Sequence, residues 1–370
     1  MYETKEKTDR VYGAGSRLLE TRDAKFSYDE EGNLVQKVEK NGDTWKYKYF
    51  GNGMMSKVIR PDKTEVTFKY DSLGRRIEKC SNEKTIQFVW DGNTILHEYC
   101  SQNDAVDLEN LVESQNKSEI PDNLVTWVFN DGFVPSAKIT SEGNYSIISD
   151  YLGTPVEAYD QEGKRVWSAE LDIFGRMEEF TGQKDFIPFR YQGQYEDTET
   201  GLYYNRFRYY SPNEGVYTQI DPIGLAGGNP TLYGYVSDPN IYIDIFGLKQ
   251  GGSYSSVRAT NIGGQVHHMP ANSVSPVSHG KGPAIWMPTP DHLDTASWGS
   301  YNKGKQWRAY QKELIDSGKF GKAMEIDIRD VQRKFGSQFN DGIREMLEYA
   351  GDNGYITNAE QKRLTRKYCR

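Results

Sequence analysis

Cysteine is scarce in this chain. Three occur in 370 residues, Cys80, Cys100 and Cys369, with no spacing of a disulfide framework or a thiolate metal site. A cysteine-stapled fold is excluded, and synthesis in a reducing cytoplasm is the expectation. Long apolar runs are also missing. None approaches 18 residues, so no membrane-spanning helix is expected. The opening residues, MYETKEKTDR, lack the apolar stretch of a conventional secretory signal. Hydrophobic residues make up only 36% of a chain long enough for two or three domains.

What is abundant is tyrosine and glycine, at 26 and 36 residues. Twenty of the tyrosines precede residue 249 and six follow it. Charge divides at the same place. Residues 249–370 hold 18 Lys and Arg against 12 Asp and Glu, a net of +6, whereas the first 248 residues hold 27 against 41, a net of −14. A basic module joined to an acidic one is suited to meeting a polyanion with one part only.

The first part is repetitive. YDEEGNL (28–34), YFGNGMM (49–55), YDSLGRR (70–76) and WDGNTIL (90–96) place an aromatic at Tyr28, Tyr49, Tyr70 and Trp90, in steps of 21, 21 and 20. Before each of the last three, apolar residues alternate: Trp45-Tyr47-Tyr49, Val66-Phe68-Tyr70 and Ile86-Phe88-Trp90. That is a strand with one apolar face, and the Asp, Asn and Gly that follow suit tight turns. One repeat is about one β-hairpin, which must stack on its neighbours to cover its apolar face. The aromatic stripe therefore reads as core. Residues 101–119, polar and acidic, read as a surface insertion. After residue 145 the strand pattern returns without the strict period.

DYLGTPVEAYDQEGKRVWSAELDIFGR (150–176) and YQGQYEDTETGLYYNRFRYYSPNEGVYTQIDPIGLAGGNPTLYGY (191–235) resemble the core of Rhs and YD-repeat proteins. The resemblance runs over roughly residues 25–248. It implies hairpins coiled into a shell around a C-terminal effector. A full shell of that family uses many more repeats, so this stretch is expected to be a partial one.

IDPIGL (220–225) and PNIYIDIFGL (239–248) resemble the two copies of a DPxGL signature in that family. The resemblance implies self-cleavage after Leu248 by two carboxylates, Asp221 and Asp244, in the manner of an aspartic protease. Two close carboxylates share one proton, so one serves as acid while the other activates water. Ile245 stands where the family has Pro. On residue chemistry alone, both aspartates read equally as turn formers.

Past Leu248 the composition changes. KQGGSYSS reads as a linker-like start. Four of the five histidines follow within a short span: His267, His268, His279 and His292. The order reads as strand (Gln265–His268), loop, strand (Ala284–Met287), then a helix with Thr289 as N-cap, Pro290 in its first turn and Asp291 at its positive end. Later helices place Trp307, Tyr310 and Leu314 on one face, and Phe339, Ile343, Met346 and Leu347 on another. Thr357 and Glu360 form a capping box. Adjacent strand residues face opposite ways, so one of the paired histidines can hold a metal while its neighbour faces a water.

VHHMPANSVSP (266–276), GPAIWM (282–287) and PDHLDTASWG (290–299) resemble HNH/endonuclease VII toxin nucleases. That resemblance implies His267 as metal ligand, His268 as general base, and His292 with Asp291 completing a metal site. The cation would be an exchangeable divalent one, Mg²⁺ or Zn²⁺. Asn272, His279 and Thr295 are candidate supporting residues; His279 reads as exposed. The basic run Lys362, Arg363, Arg366, Lys367 and Arg370 reads either as a phosphate track or as a solvated helix face.

The combined expectation is a mainly β segment over residues 1–248, stacked YD-repeat hairpins of a partial Rhs shell. A small α+β domain over 249–370 follows, with a ββα-metal nuclease-like core and C-terminal helices. Functionally this implies an exported antibacterial toxin that cuts nucleic acid, DNA before RNA, in a target cell. Its partners would be a cognate immunity protein and a secretion-machine or larger shell component. A second reading is a structural or adhesion protein whose C-terminal domain only binds a partner. A zinc deaminase is disfavoured, since no Cys pair accompanies the histidines.

Overall fold

The computed structural model describes residues 9–101, 121–130, 132–221, 231–236, 239–240, 243–245, 247–248, 251–259, 264–336 and 338–369. They form two compact units. The first comprises residues 1–220 with 233–247, the second 221–232 with 248–370.

In the first unit, sixteen strands among the described residues, β1 (Arg10–Tyr12) to β16 (Met177–Thr181), make one antiparallel sheet. Each strand pairs with its neighbours in sequence, so the sheet is an uninterrupted meander. A second meander runs from β17 (Tyr195–Asp197) to β20 (Val216–Tyr217). The expected insertion lies outside the described residues except for Ser101. The strands on either side of it, β10 (Thr94–Ser101) and β11 (Val125–Asn130), pair directly.

The repeated aromatics stand at the ends of their strands, Tyr49 and Tyr70 last in β5 (Thr44–Tyr49) and β7 (Glu65–Tyr70) and Trp90 last but one in β9 (Thr85–Asp91). Tyr47, Val66, Phe68, Ile86 and Phe88 are buried on one face. The terminal aromatic adds a polar tie. Tyr49 and Tyr70 donate their hydroxyls to the carbonyls of Leu34 and Met55, each at 2.8 Å, and the Trp90 indole donates to Arg76 at 2.8 Å. Each ring thus covers the apolar face while its polar tip satisfies the neighbouring hairpin's backbone.

The aspartate of the repeat builds the turn. Asp71 Oδ1 accepts the backbone N–H groups of Leu73 at 2.9 Å and Arg75 at 2.8 Å. Asp172 does the same for Phe174 and Arg176, at 2.8 and 2.9 Å. Between these anchors Gly74 and Gly175 take φ of 74° and 81°, a region that costs a side chain energy.

A charged knot sits inside the aromatic core. Arg76 is fully buried and pairs with Asp197, with its guanidinium 4.3 Å from the Tyr204 ring centre and 4.9 Å from that of Phe88. Lys79, also buried, lies 3.2 Å from Asp197 and 2.7 Å from Glu199. Asp197 therefore serves both buried cations, with Glu199 adding a second carboxylate to Lys79 and the ring faces aiding Arg76.

The second unit contains β21 (Gly251–Ser253), α1 (Tyr254–Ala259), β22 (Gln265–His268), β23 (Pro283–Met287) and α2 (Thr289–Asp294). Four longer helices follow: α3 (Asn302–Asp316), α4 (Phe320–Phe335), α5 (Asn340–Asp352) and α6 (Asn358–Tyr368). β23 lies between β21 and β22, antiparallel to both. The core joins Ile285 and Met287 of the sheet to Met324 and Ile328 of α4 and to Ile343, Met346 and Leu347 of α5. The α5 face and the Thr357–Glu360 capping box match expectation.

Several local expectations change. Gly251 and Gly252 are not linker but strand. A side chain at Gly251 would put its Cβ 1.9 Å from the Gly342 carbonyl oxygen, so the glycine serves close approach to α5 rather than flexibility. Pro288, not Thr289, is the N-cap of α2, and no side chain caps that helix. On α3, Tyr310 is exposed, whereas Gly304 and Gln311 are buried. That helix is tied to α4 by polar bonds. The Trp307 indole and the Gln311 amide both donate to the Asp327 carboxyl, the former at 2.7 Å. Burial pushes the Asp327 carboxyl up to about 7. In the basic run, Arg363 and Lys367 pair with Glu325 at 2.9 Å each, and Arg370 lies outside the described residues. Among the described residues no helix is long and apolar enough to cross a membrane.

Asp197→Ala should cost about 3–5 kcal/mol, because Arg76 and Lys79 lose their shared carboxylate while staying buried. Urea denaturation followed by tyrosine fluorescence reads this, and a change under 1 kcal/mol (roughly the worth of one neutral hydrogen bond) would contradict it. Asp327 has a raised folded pKa, so its folded form holds a proton that the unfolded chain releases. Stability is therefore lost as pH rises from about 4 to about 7, by up to roughly 1.4 kcal/mol per pH unit from this group. Asp327→Asn should remove that slope, measured as the difference between the two proteins' urea midpoints across the same pH range.

Candidate functional site

β22 presents two imidazoles to two different surroundings. Its last residues, His267 and His268, pair with Ile285 and Ala284 of β23. Their alternation sends His267 toward α2 and His268 toward α1. The His267 ring lies edge-on to His292 of α2, with ring centres 5.2 Å apart and an interplanar angle of 73°. His267 Nε2 and His292 Nδ1 are both buried, and neither has a hydrogen-bond partner among the described residues. A buried nitrogen without a partner is costly, and here two share one corner.

Burial drives the His267 pKa down to about 3, helped by the nearby rings of His292 and His268 and the ammonium of Lys334. Burial lowers that of His292 as well. Both rings are therefore neutral at pH 7 and carry available lone pairs. Lys334 is held in place by Asp330 at 3.0 Å and by the Asp294 carbonyl.

His268 is enclosed differently. Its ring stacks on Tyr254 at 4.4 Å with an angle of 9°, and meets His279 edge-on at 4.9 Å. Its Nε2 lies 2.9 Å from the His279 carbonyl oxygen. A carbonyl only accepts, so Nε2 carries the proton and Nδ1 the lone pair. Burial lowers the His268 pKa, which keeps the ring neutral. Gly282 makes room for it, since a Cβ there would meet His268 Cδ2 at 2.7 Å.

The other candidates separate. Asp291 accepts from the Gln338 amide at 3.3 Å. Among the described residues no group of three or more His, Cys, Asp and Glu is placed to hold a metal ion, so the expected His267–His292–Asp291 set reduces to the two imidazoles. Thr295 is buried and donates its hydroxyl to the His292 carbonyl at 2.8 Å, ending α2. Asn272 is half-buried in a turn, its carbonyl accepting from Ser275. His279 is exposed and contributes its backbone carbonyl and ring edge. Sequence reading missed Tyr254, taken for linker, and Lys334, which no local pattern connects to His267.

The junction aspartates fall in different units. Asp244, in the first, accepts from the Tyr217 hydroxyl at 2.9 Å and faces the Arg208 guanidinium at 3.3 Å. Its backbone carbonyl accepts the Asn205 amide at 2.7 Å. Asp221, in the second, is buried, and its N–H donates to the Leu232 carbonyl at 2.8 Å. Leu248 is buried; Lys249, across the expected cut, lies outside the described residues, as do residues 222–225 of the first signature copy.

Comparison with known proteins adds the lineage. The Teneurin YD-shell family profile matches residues 2–225. The double-stranded DNA deaminase toxin A of Burkholderia cenocepacia is 31% identical over 271 residues, 68% of this chain and 18% of its own length. The probable deoxyribonuclease RhsA of Dickeya dadantii is 30% identical over 246 residues, 63% of this chain and 16% of its own length. The tRNA nuclease WapA of Bacillus subtilis is 27% identical over 233 residues, 61% of this chain and 9% of its own length. This chain thus spans between 9 and 18% of the length of these relatives, whose names give different activities.

Proposed function

This chain belongs to the teneurin YD-shell family, and from that premise we propose that it is part of an Rhs-type antibacterial toxin whose second unit is a metal-dependent nuclease. The observation that carries the reading is the corner where His267 Nε2 and His292 Nδ1 lie buried, neutral and unpartnered. Two such lone pairs fit a divalent cation that keeps positions open for water and phosphate. Nitrogen donors favour Zn²⁺ over Mg²⁺. The bound cation would supply positive charge to a phosphodiester.

The proton chemistry belongs to His268. Its Nε2–H is anchored on the His279 carbonyl, which leaves Nδ1 to take a proton from water. Tyr254 and the gap left by Gly282 hold the ring in that orientation. Thr295 and Asp291 are positioning residues at the two ends of α2. The relatives' names, a deoxyribonuclease and a tRNA nuclease among them, support a nucleic-acid target. DNA is the first choice. In this reading the protein is made in the cytoplasm, exported, and held off its own cell by an immunity protein. An acidic inhibitor would complement the +6 module.

Self-cleavage after Leu248 is part of the proposal. Asp221 and Asp244 are the two carboxylates to which the resemblance of the signature copies assigns it.

Incubated with supercoiled plasmid and with tRNA, the full chain should cut in Zn²⁺ or Mn²⁺ and not in EDTA. His268→Ala should lower the rate roughly a hundredfold or more without weakening metal binding. His267→Ala should weaken metal binding itself, read by calorimetry. Metal-independent cutting, or two variants that bind and cut like the parent, would sink the assignment. For the junction, mass spectrometry of purified protein should find a fragment beginning at Lys249. Asp244→Asn should yield intact chain; an uncut parent excludes the cleavage.

A further inference from the structure

The second unit has a separate surface suited to nucleic acid, and it adjoins the histidine corner. Among the described residues, the exposed large hydrophobics of this unit are Leu293, Trp298, Tyr301 and Tyr310, and all lie between residues 293 and 310. Tyr301 is 77% exposed, Tyr310 52% and Trp298 41%. The other described aromatics of the unit are buried or half-buried. From 295 to 312 the chain has four basic residues, Lys303, Lys305, Arg308 and Lys312, and no acidic one. Lys303 and Lys305 are exposed and have no ion-pair partner among the described residues. Lys362 and Arg366 of α6 also have no ion-pair partner among the described residues, but their neighbours Arg363 and Lys367 are spent on Glu325, and α6 exposes no aromatic beside them.

The stretch is held rather than loose. Thr295 accepts no freedom from the end of α2: its N–H and hydroxyl both bond the His292 carbonyl, at 3.2 and 2.8 Å. The Trp298 N–H then bonds the Thr295 carbonyl at 3.2 Å, so two successive tight turns connect His292 to Trp298. Asp330 accepts the Ala296 N–H at 2.7 Å, and Arg308 reaches back to the Ser297 carbonyl. Gly304 lets the loop fold onto the first turn of α3, since a Cβ there would meet the Trp298 carbonyl oxygen at 2.6 Å. On α3 itself, Lys303 and Tyr310 are seven residues apart and share a flank.

We propose that Trp298, Tyr301 and Tyr310, with Lys303 on the Tyr310 flank of α3 and Lys305 further round the helix, form a binding platform for single-stranded nucleic acid that leads the substrate toward His267 and His292. Exposed rings offer stacking faces only to bases that are not already stacked in a duplex, and the lysines track the backbone phosphates. A protein partner is the competing occupant for exposed aromatics. The absence of any acid among these side chains favours the polyanion. The proposal rests on the nuclease reading for its direction but not for its binding.

The test is fluorescence anisotropy of a labelled oligothymidylate with the full chain in EDTA, where no cleavage interferes. Tyr301→Ala should weaken binding roughly tenfold, and Tyr301→Phe should restore it, because stacking needs the ring and not the hydroxyl. Lys303→Ala with Lys305→Ala should lower the slope of log affinity against log salt by about 1.4. Trp298 fluorescence should be quenched on binding. Unchanged affinity and salt slope in these exposed-site variants overturns the platform. The outcomes stay separable from the nuclease assay. Cleavage that persists with unaltered KM in the platform variants leaves the nuclease and removes the platform. Oligonucleotide binding lost in Tyr301→Ala, with no metal-dependent cleavage by the parent, leaves the platform and removes the nuclease.

Discussion

A β-hairpin has too little apolar surface to bury its own face, and each hairpin of the meander depends on the next for cover. The last aromatic of each repeat meets that need twice. Its ring seals the shared face, and its hydroxyl or indole N–H reaches a backbone carbonyl of the preceding hairpin. The polar tip sets the register that a purely apolar contact would leave loose. The aspartate beside it closes the turn, so the pair of residues specifies both the corner and the joint. This local economy lets many hairpins follow one another without long-range pairing. Long-range ties add to it, the buried Arg76–Asp197–Lys79 knot among them.

In the second unit desolvation takes the governing role. A two-histidine strand end forces one ring to each side, and the two sides differ in what they provide. On the α2 side the ring meets another imidazole and finds no hydrogen bond. On the α1 side it meets a tyrosine face and a carbonyl that selects its tautomer. The same residue type is thereby given two different chemistries by its neighbours: one ring nitrogen turned inward without a partner, and one ring aligned by a donated proton.

Much of the fold was legible because its periods are short. Alternation over five or six residues marks a strand, and a step of 20 or 21 marks a hairpin. The strand, strand, helix order around His267 and His292 was legible for the same reason. Glycine was misread where its role is steric: Gly251 and Gly252 look like linker, yet they form a strand pressed onto α5. Asp291 was grouped with His292 by adjacency, but consecutive residues in a helix point about 100° apart, and Gln338 takes the carboxylate instead. The basic run on α6 looked like a phosphate track. Glu325, more than thirty residues away, claims two of its members.

By itself the sequence determined the hairpin repeat, the change of composition at Leu248, and the clustering of histidines that follows it. These follow from local periodicity and residue chemistry. Only the tertiary structure decided which imidazoles meet, which nitrogen of His268 holds the proton, and which lysines remain free. Those outcomes depend on groups brought together from distant positions, His279, Lys334 and Glu325 among them, and no local pattern records where a folded chain returns.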